Sequence, residues 1–296
     1  MTTRRPRTFR RAALAAVLGL SLGLSLAAAP ALAQDSAAAM KARHAQLQAR
    51  LEKNVYGRPM HIESSESSDT LRGDVHAVLS QPFAKVVSQL RVRSNWCDIL
   101  ILPFNVKQCV APKDSETLAL RIGRKFDQPV QDAHLVTFAY RAVDASASHF
   151  EVQLSADEGP LGTRDYRIVV EAIPLDGERT FLRLSYAYGF GFAARVAMQA
   201  YLSTSGSDKI GFSVTGRTRN GEPEYVKGVR GVVERNAMRY FLAVEAYLAA
   251  PTQTDRRIRD WFRTSEQYAQ QLHEMDEADY VTMKTREVRR QSGAGG

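Results

Sequence analysis

Cysteine occurs only twice in 296 residues, as Cys97 and Cys109. No His or Cys stands at C-x-x-C or H-x-x-x-H spacing from either, which removes the common zinc-ligand and dithiol redox patterns. The six histidines (44, 61, 76, 134, 149 and 273) are scattered, and His273-Glu-Met-Asp-Glu is not the H-E-x-x-H of a zinc hydrolase. The sequence also lacks G-x-S-x-G, and with it the nucleophile elbow of an α/β-hydrolase. ESSESSD (63–69) has neither the alternating Asp/Asn ligands nor the glycine of a calcium loop. Beyond residue 33 no apolar run reaches membrane-spanning length.

The N-terminus is where the charge and the long apolar run are. MTTRRPRTFRR carries five arginines and no acid, AALAAVLGLSLGLSLAAAP follows, and Ala31-Leu32-Ala33 closes the run. This is the layout of a secretory signal peptide over 1–33, cleaved near Ala33, and it predicts a periplasmic or secreted protein. An uncleaved anchor is the alternative, disfavoured by the short run and the small-residue site. The chain has 40 Lys+Arg and 32 Asp+Glu. Removing five arginines leaves 35 against 32, a net +3, so the basic character mostly reports the export signal and does not argue for nucleic acid. In an oxidising compartment Cys97 and Cys109 are expected to pair. Closing so short a loop contributes about 3 kcal/mol in the chain-entropy picture.

Residues 34–57 read as an Ala-rich helix ended by Gly57-Arg58-Pro59. Apolar residues then alternate over Thr70–Leu79, Thr117–Lys125, Ala133–Val143, Ser148–Leu154, Arg164–Ile173, Thr180–Tyr188 and Lys209–Arg217, predicting about seven strands of an antiparallel sheet. Ser80-Gln-Pro-Phe opens a short helix through Leu90, with Ser80 as its cap. A helix over 190–202 precedes the last strand. Glu224–Ala250 is a long amphipathic helix with Val226, Val229, Val233, Ala237, Tyr240, Val244 and Leu248 on its apolar face, and Lys227, Glu234, Arg235 and Arg239 on its wet face. A further helix spans Asp255–Asp276, within a C-terminal extension over 251–282, and 283–296 reads as a disordered tail.

This order resembles the helix-grip fold of the START-like (SRPBCC) superfamily, in which a curved antiparallel sheet wraps the last long helix around a hydrophobic cavity. GDVHAVLSQPFAKVVSQL and VRGVVERNAMRYFLAVEAYL carry the resemblance, within a domain spanning 58–250. NWCDILIL and GVRGVVERNAMRYFL also look like a group of exported bacterial proteins of unassigned function. The cysteine segment and the helix over 190–202 depart from the superfamily's pattern. The resemblance implies an α+β fold and a cavity lined by Phe138, Tyr140, Tyr186, Tyr188, Val233 and Tyr240, with Trp96, Phe104, Phe192 and Met198 near its mouth. NWCDILILPFNVKQC would be a stapled flap across one end.

Gly189-Phe-Gly191-Phe-Ala-Ala194 mimics a dinucleotide fingerprint, but it falls late in an antiparallel meander, where such glycines serve a tight turn. His134 and His149 could meet across a hairpin, yet with no carboxylate fixed beside them they read as ordinary sheet residues. The expectation is an exported, non-catalytic binder of a hydrophobic small molecule or lipid, with no metal, cofactor or nucleic acid and with transient membrane contact. The rivals are a cyclase- or hydrolase-type enzyme using the same cavity, and an envelope structural or partner-binding protein with a filled core.

Overall fold

The computed structural model describes residues 1–2, 28–192, 195, 196, 198, 200 and 209–293. Most of the export segment, and much of the helix expected over 190–202, lie outside the described residues. Eight strands form one antiparallel sheet: β1 (Met60–Glu66), β2 (Thr70–Leu79), β3 (Val106–Val110), β4 (Thr117–Ile122), β5 (His134–Ala145), β6 (Phe150–Glu158), β7 (Thr163–Pro174) and β8 (Thr180–Phe190). Their order is β1-β2-β8-β7-β6-β5-β4-β3. Strands β3 to β8 are a simple meander, while α2 (Phe83–Leu90) and α3 (Asn95–Leu100) carry the chain from β2 to the far edge. The cap position of α2 is Pro82, whose carbonyl takes the first helical N–H groups, and not Ser80.

The long helix α4 (Gly228–Ala249) lies against one face of this sheet. Contact is close at Gly73 of β2, where a Cβ would stand 3.1 Å from the Val233 carbonyl oxygen and 3.2 Å from the Ala237 Cβ. Odd-numbered β2 residues therefore face α4, and even-numbered ones face the other side. That outer side is covered in part by α1 (Ala28–Glu52), whose Met40, Leu47 and Leu51 pack on Ile173 and Phe181.

Four expectations need correction. Lys209–Arg217 is not a sheet strand. Only Val214–Arg217 (β9) is extended, and it pairs with β10 (Pro223–Tyr225) in a separate hairpin turned at Gly221, φ +82°. Glu234, Arg235 and Arg239, read as a wet face, are buried, because residues 209–213 and the C-terminal helices enclose the side of α4 away from the sheet. Glu234 there accepts hydrogen bonds from the Phe212 and Ser213 amides at 2.7 and 2.8 Å. Arg235 donates to the Ile210 carbonyl at 3.0 Å. The single helix expected over 255–276 is broken at Tyr268 (φ −118°, ψ 41°) into α5 (Thr254–Glu266) and α6 (Ala269–Leu272).

The fourth correction concerns the tail, which forms α7 (Glu277–Gly293) and is anchored by a buried stripe of Tyr280, Met283, Lys284 and Glu287. Lys284 donates to the Pro103 and Val106 carbonyls at 2.7 and 2.8 Å and pairs with Glu287 at 2.7 Å. Helix α7 thereby seals the cysteine segment. Cys97 on α3 and Cys109 on β3 are disulfide-bonded, with Cα atoms 5.1 Å apart. Ile99 to Leu102 are buried. The segment is a packed wall at the sheet edge and not a flap.

Candidate functional site

Along β7 and β8 the side chains facing α4 change character from one end of the strands to the other. Val170 and Leu184 sit in the solid core, whereas Tyr166, Tyr186 and Tyr188 follow toward the end where β7 begins and β8 finishes. There the packing opens into a cavity of about 410 Å³, lined by these tyrosines with Phe138 of β5, Tyr240 of α4 and Met198. Tyr166 stacks on Tyr188 at 5.5 Å between centroids, and Tyr186 leans on Tyr240 at 5.2 Å. The turn between β6 and β7 sets Leu161 over the opening with φ +57°, in the left-handed region that non-glycine residues seldom occupy.

Among the described residues the tyrosines are the only titratable groups in this lining. Burial raises the pKa of Tyr186, Tyr188 and Tyr240, so their hydroxyls stay protonated at neutral pH. Tyr166 shares a 2.7 Å hydrogen bond with Thr163. The hydroxyls of Tyr186, Tyr188 and Tyr240 make no hydrogen bond within the described residues, and their oxygens are not sealed from the cavity space. Three phenol hydroxyls open to one cavity can each donate to or accept from a guest.

A second chamber of about 470 Å³ adjoins the first, sharing Asn105, Gly123, Leu161, Val232 and Asn236. Arg124, Lys125, Arg235 and Arg239 give it basic walls. Glu274 binds Lys125 at 2.5 Å and Arg239 at 2.6 Å, with Lys209 at 3.6 Å. Burial and the neighbouring Arg239 push the Lys125 amine down to about 8, despite Glu274. A wider cleft of about 720 Å³ beside α1 and β9 is lined by Arg50, Lys53, Arg217 and Arg230 among others, and has no comparable aromatic wall.

Of the ten residues expected around a cavity, Phe138, Tyr186, Tyr188, Met198 and Tyr240 are brought together. The other five lie elsewhere. Trp96 is buried and donates its indole N–H to the Leu90 carbonyl at 2.8 Å. Phe104 packs edge-on against Trp261 and Tyr280, at 5.0 and 5.2 Å, and reaches only the basic chamber. Tyr140 donates to the Arg91 carbonyl at 2.7 Å, tying β5 to the end of α2. Val233 is in the solid core against Gly73, and Phe192 is 83% exposed.

Tyr166, Leu161, Asn236 and the basic chamber were not among the expected lining. Tyr166 was accessible from strand alternation alone. The basic chamber was not, because its walls come from α4 and the β4–β5 connection, with Glu274 arriving from beyond α6. His134 and His149 do not meet. His134 opens β5 opposite Ile122, and His149 stands near that strand's other end.

No family model matches the chain, and no curated protein matches it. Among solved structures, a norcoclaurine synthase point mutant from Thalictrum flavum in complex with a transition-state analogue is similar at 15% identity and a TM-score of 0.34, covering 47% of this chain and 89% of its own. A conserved protein from Geobacillus kaustophilus is similar at 13% identity and a TM-score of 0.34, covering 60% and 95%. Ara h 8.0201 is similar at 11% identity and a TM-score of 0.33, covering 64% and 99%. At these values the fold description rests on the strand order and on the helix the sheet holds. By those two features the chain is an α+β protein of the helix-grip type.

Proposed function

We propose that this is an exported protein that holds a hydrophobic small molecule or lipid in the tyrosine-lined cavity and performs no chemistry on it. The observation that carries the reading is the wall of Tyr186, Tyr188 and Tyr240, apolar in body and with three hydroxyls that no described residue takes up. A volume of about 410 Å³ falls within the range of small-molecule sites. The adjoining basic chamber favours a guest with an acidic group beside its apolar body. Leu161 and Phe192, exposed near the same end of the sheet, suit a passing contact with a membrane from which such a guest is drawn. The Cys97–Cys109 bond supports export, since an oxidising compartment preserves it.

The test is titration with a fluorescent fatty acid, comparing the parent protein with Val232→Trp, which places an indole in the space shared by both chambers. The expected result is saturable binding by the parent and at least about tenfold weaker binding by the variant, at similar thermal stability. No uptake by the parent, or equal uptake by both, would remove the cavity from the account.

A further inference from the structure

We propose that the outer face of the sheet, opposite the cavity, carries a divalent-metal site formed by His149, Glu151 and Glu171 and suited to Zn²⁺. The strand register concentrates negative charge at one place on this face. Asp144 of β5 pairs across to Glu151 of β6, and Glu151 to Glu171 of β7, so three carboxylates stand side by side in one row. Like charges directly opposite one another on a sheet repel. Arg183 of β8 continues the row and holds one oxygen of Glu171 at 2.7 Å, but it also serves Asp74 at 3.1 Å.

His149 supplies the independent observation. It is fully buried, and its Nδ1 lies 2.9 Å from Asp144 Oδ2. Among the described residues its Nε2 makes no hydrogen bond, and the second oxygen of Glu171 stands 3.9 Å away, at the outer limit of an ion pair. One ligand atom from each of His149, Glu151 and Glu171 falls within 4.8 Å of the others. A carboxylate holding Nδ1–H fixes the tautomer whose Nε2 lone pair is available to a metal, as outer-shell carboxylates do for ligating histidines. Arg183 orients Glu171 in the same manner. Ligands about 2.1 Å from zinc stand roughly 3.4 Å apart, so the widest pair must close by about 1 Å. Glu151 can supply the movement, being half-buried with its carboxylate held by the side chain of Gln153. One imidazole and two carboxylates suit a borderline ion such as Zn²⁺ and leave a position for water.

The test uses the purified protein stripped with EDTA and titrated with Zn²⁺ against a chromophoric chelator at pH 7.5. Wild type is expected to take up one Zn²⁺ per chain, with thermal stability rising on addition. Glu151→Gln, a near-isosteric change at a half-buried position, is expected to keep the parent's metal-free melting temperature, to bind at least tenfold more weakly and to lose the thermal response. His134→Gln/His273→Gln, which removes two exposed histidines, is expected to behave as wild type. Failure of wild type to bind, equal affinity in Glu151→Gln, or loss of binding in the His134/His273 variant would each overturn the proposal.

Discussion

On β8, Leu182, Leu184, Tyr186 and Tyr188 face α4, while Phe181, Arg183 and Ser185 between them face the other way. The inner set builds a core that opens into an aromatic cavity whose ionisable groups, among the described residues, are all tyrosines. The outer set belongs to a charged surface running from Asp144 through Glu171, Arg183 and Asp74 to Glu63, with α1 covering the apolar patch at Phe181. The two faces share their strands and differ by one step in register. Alternation alone is enough to give a single sheet an apolar side for a guest and an ionic side for its own cohesion.

The largest effect is expected from cutting into the inner face. Leu184→Ala removes a fully buried side chain paired with Val75 and Val170, and should cost about 2–5 kcal/mol in urea unfolding. On the outer face, Arg183→Met leaves Asp74 and Glu171 without their shared cation. Because Arg183 is partly solvated, a smaller loss of about 1–3 kcal/mol is expected. If the outer substitution proved the costlier, cohesion would lie with the charges and not with the core.

Acid and alkali should separate the two faces. Glu63 is held down to about 2, first by its hydrogen bond to His61, against burial, and further by Arg43. Asp74 and Glu171 are also held low, since their arginine and histidine partners outweigh burial. Folded values below the unfolded ones mean stability that is present above pH 4.5 and lost as pH falls toward 2. Tyr186, Tyr188 and Tyr240 have raised values from burial, so their contribution is present below pH 10 and is lost as pH rises beyond it. In urea midpoints measured against pH, Glu63→Gln should flatten only the acid limb and Tyr186→Phe only the alkaline one. A swapped or absent response would contradict the assignment of charge to the outer face and buried phenol to the inner. Smallest of all, Phe192→Ser at the exposed rim should change stability by less than about 0.5 kcal/mol in the same assay.

Much of the inner face was legible in the sequence, because β2 and β4 to β8 keep strict alternation and α4 has a clear apolar stripe. What escaped had polar residues in buried places. MHIESSE forms β1 with only Met60 and Ile62 as inward anchors, and VKQCV forms β3 around a buried Lys107. The stripe of α7 was hidden because two of its four anchors, Lys284 and Glu287, are charged and pair with each other in the interior. Glu234, Arg235 and Arg239 misled in the same way on α4. Half of the expected cavity lining came together, since strand period fixes facing. Trp96, Phe104, Tyr140, Val233 and Phe192 fell elsewhere, because facing does not specify which end of a strand a cavity occupies. The carboxylate row escaped because it depends on cross-strand register, which sets Asp144 opposite Glu151 and Glu151 opposite Glu171, and sequence alternation does not fix that register.

The central claim is that the inner face encloses a guest. The most direct test compares native and denaturing mass spectra of protein purified without detergent, with solvent extraction of whatever is released. The account predicts a reproducible apolar or amphipathic species bound at up to one per chain and absent after denaturation. A clean unliganded mass, from a protein that also ignores a fluorescent fatty acid, would contradict it.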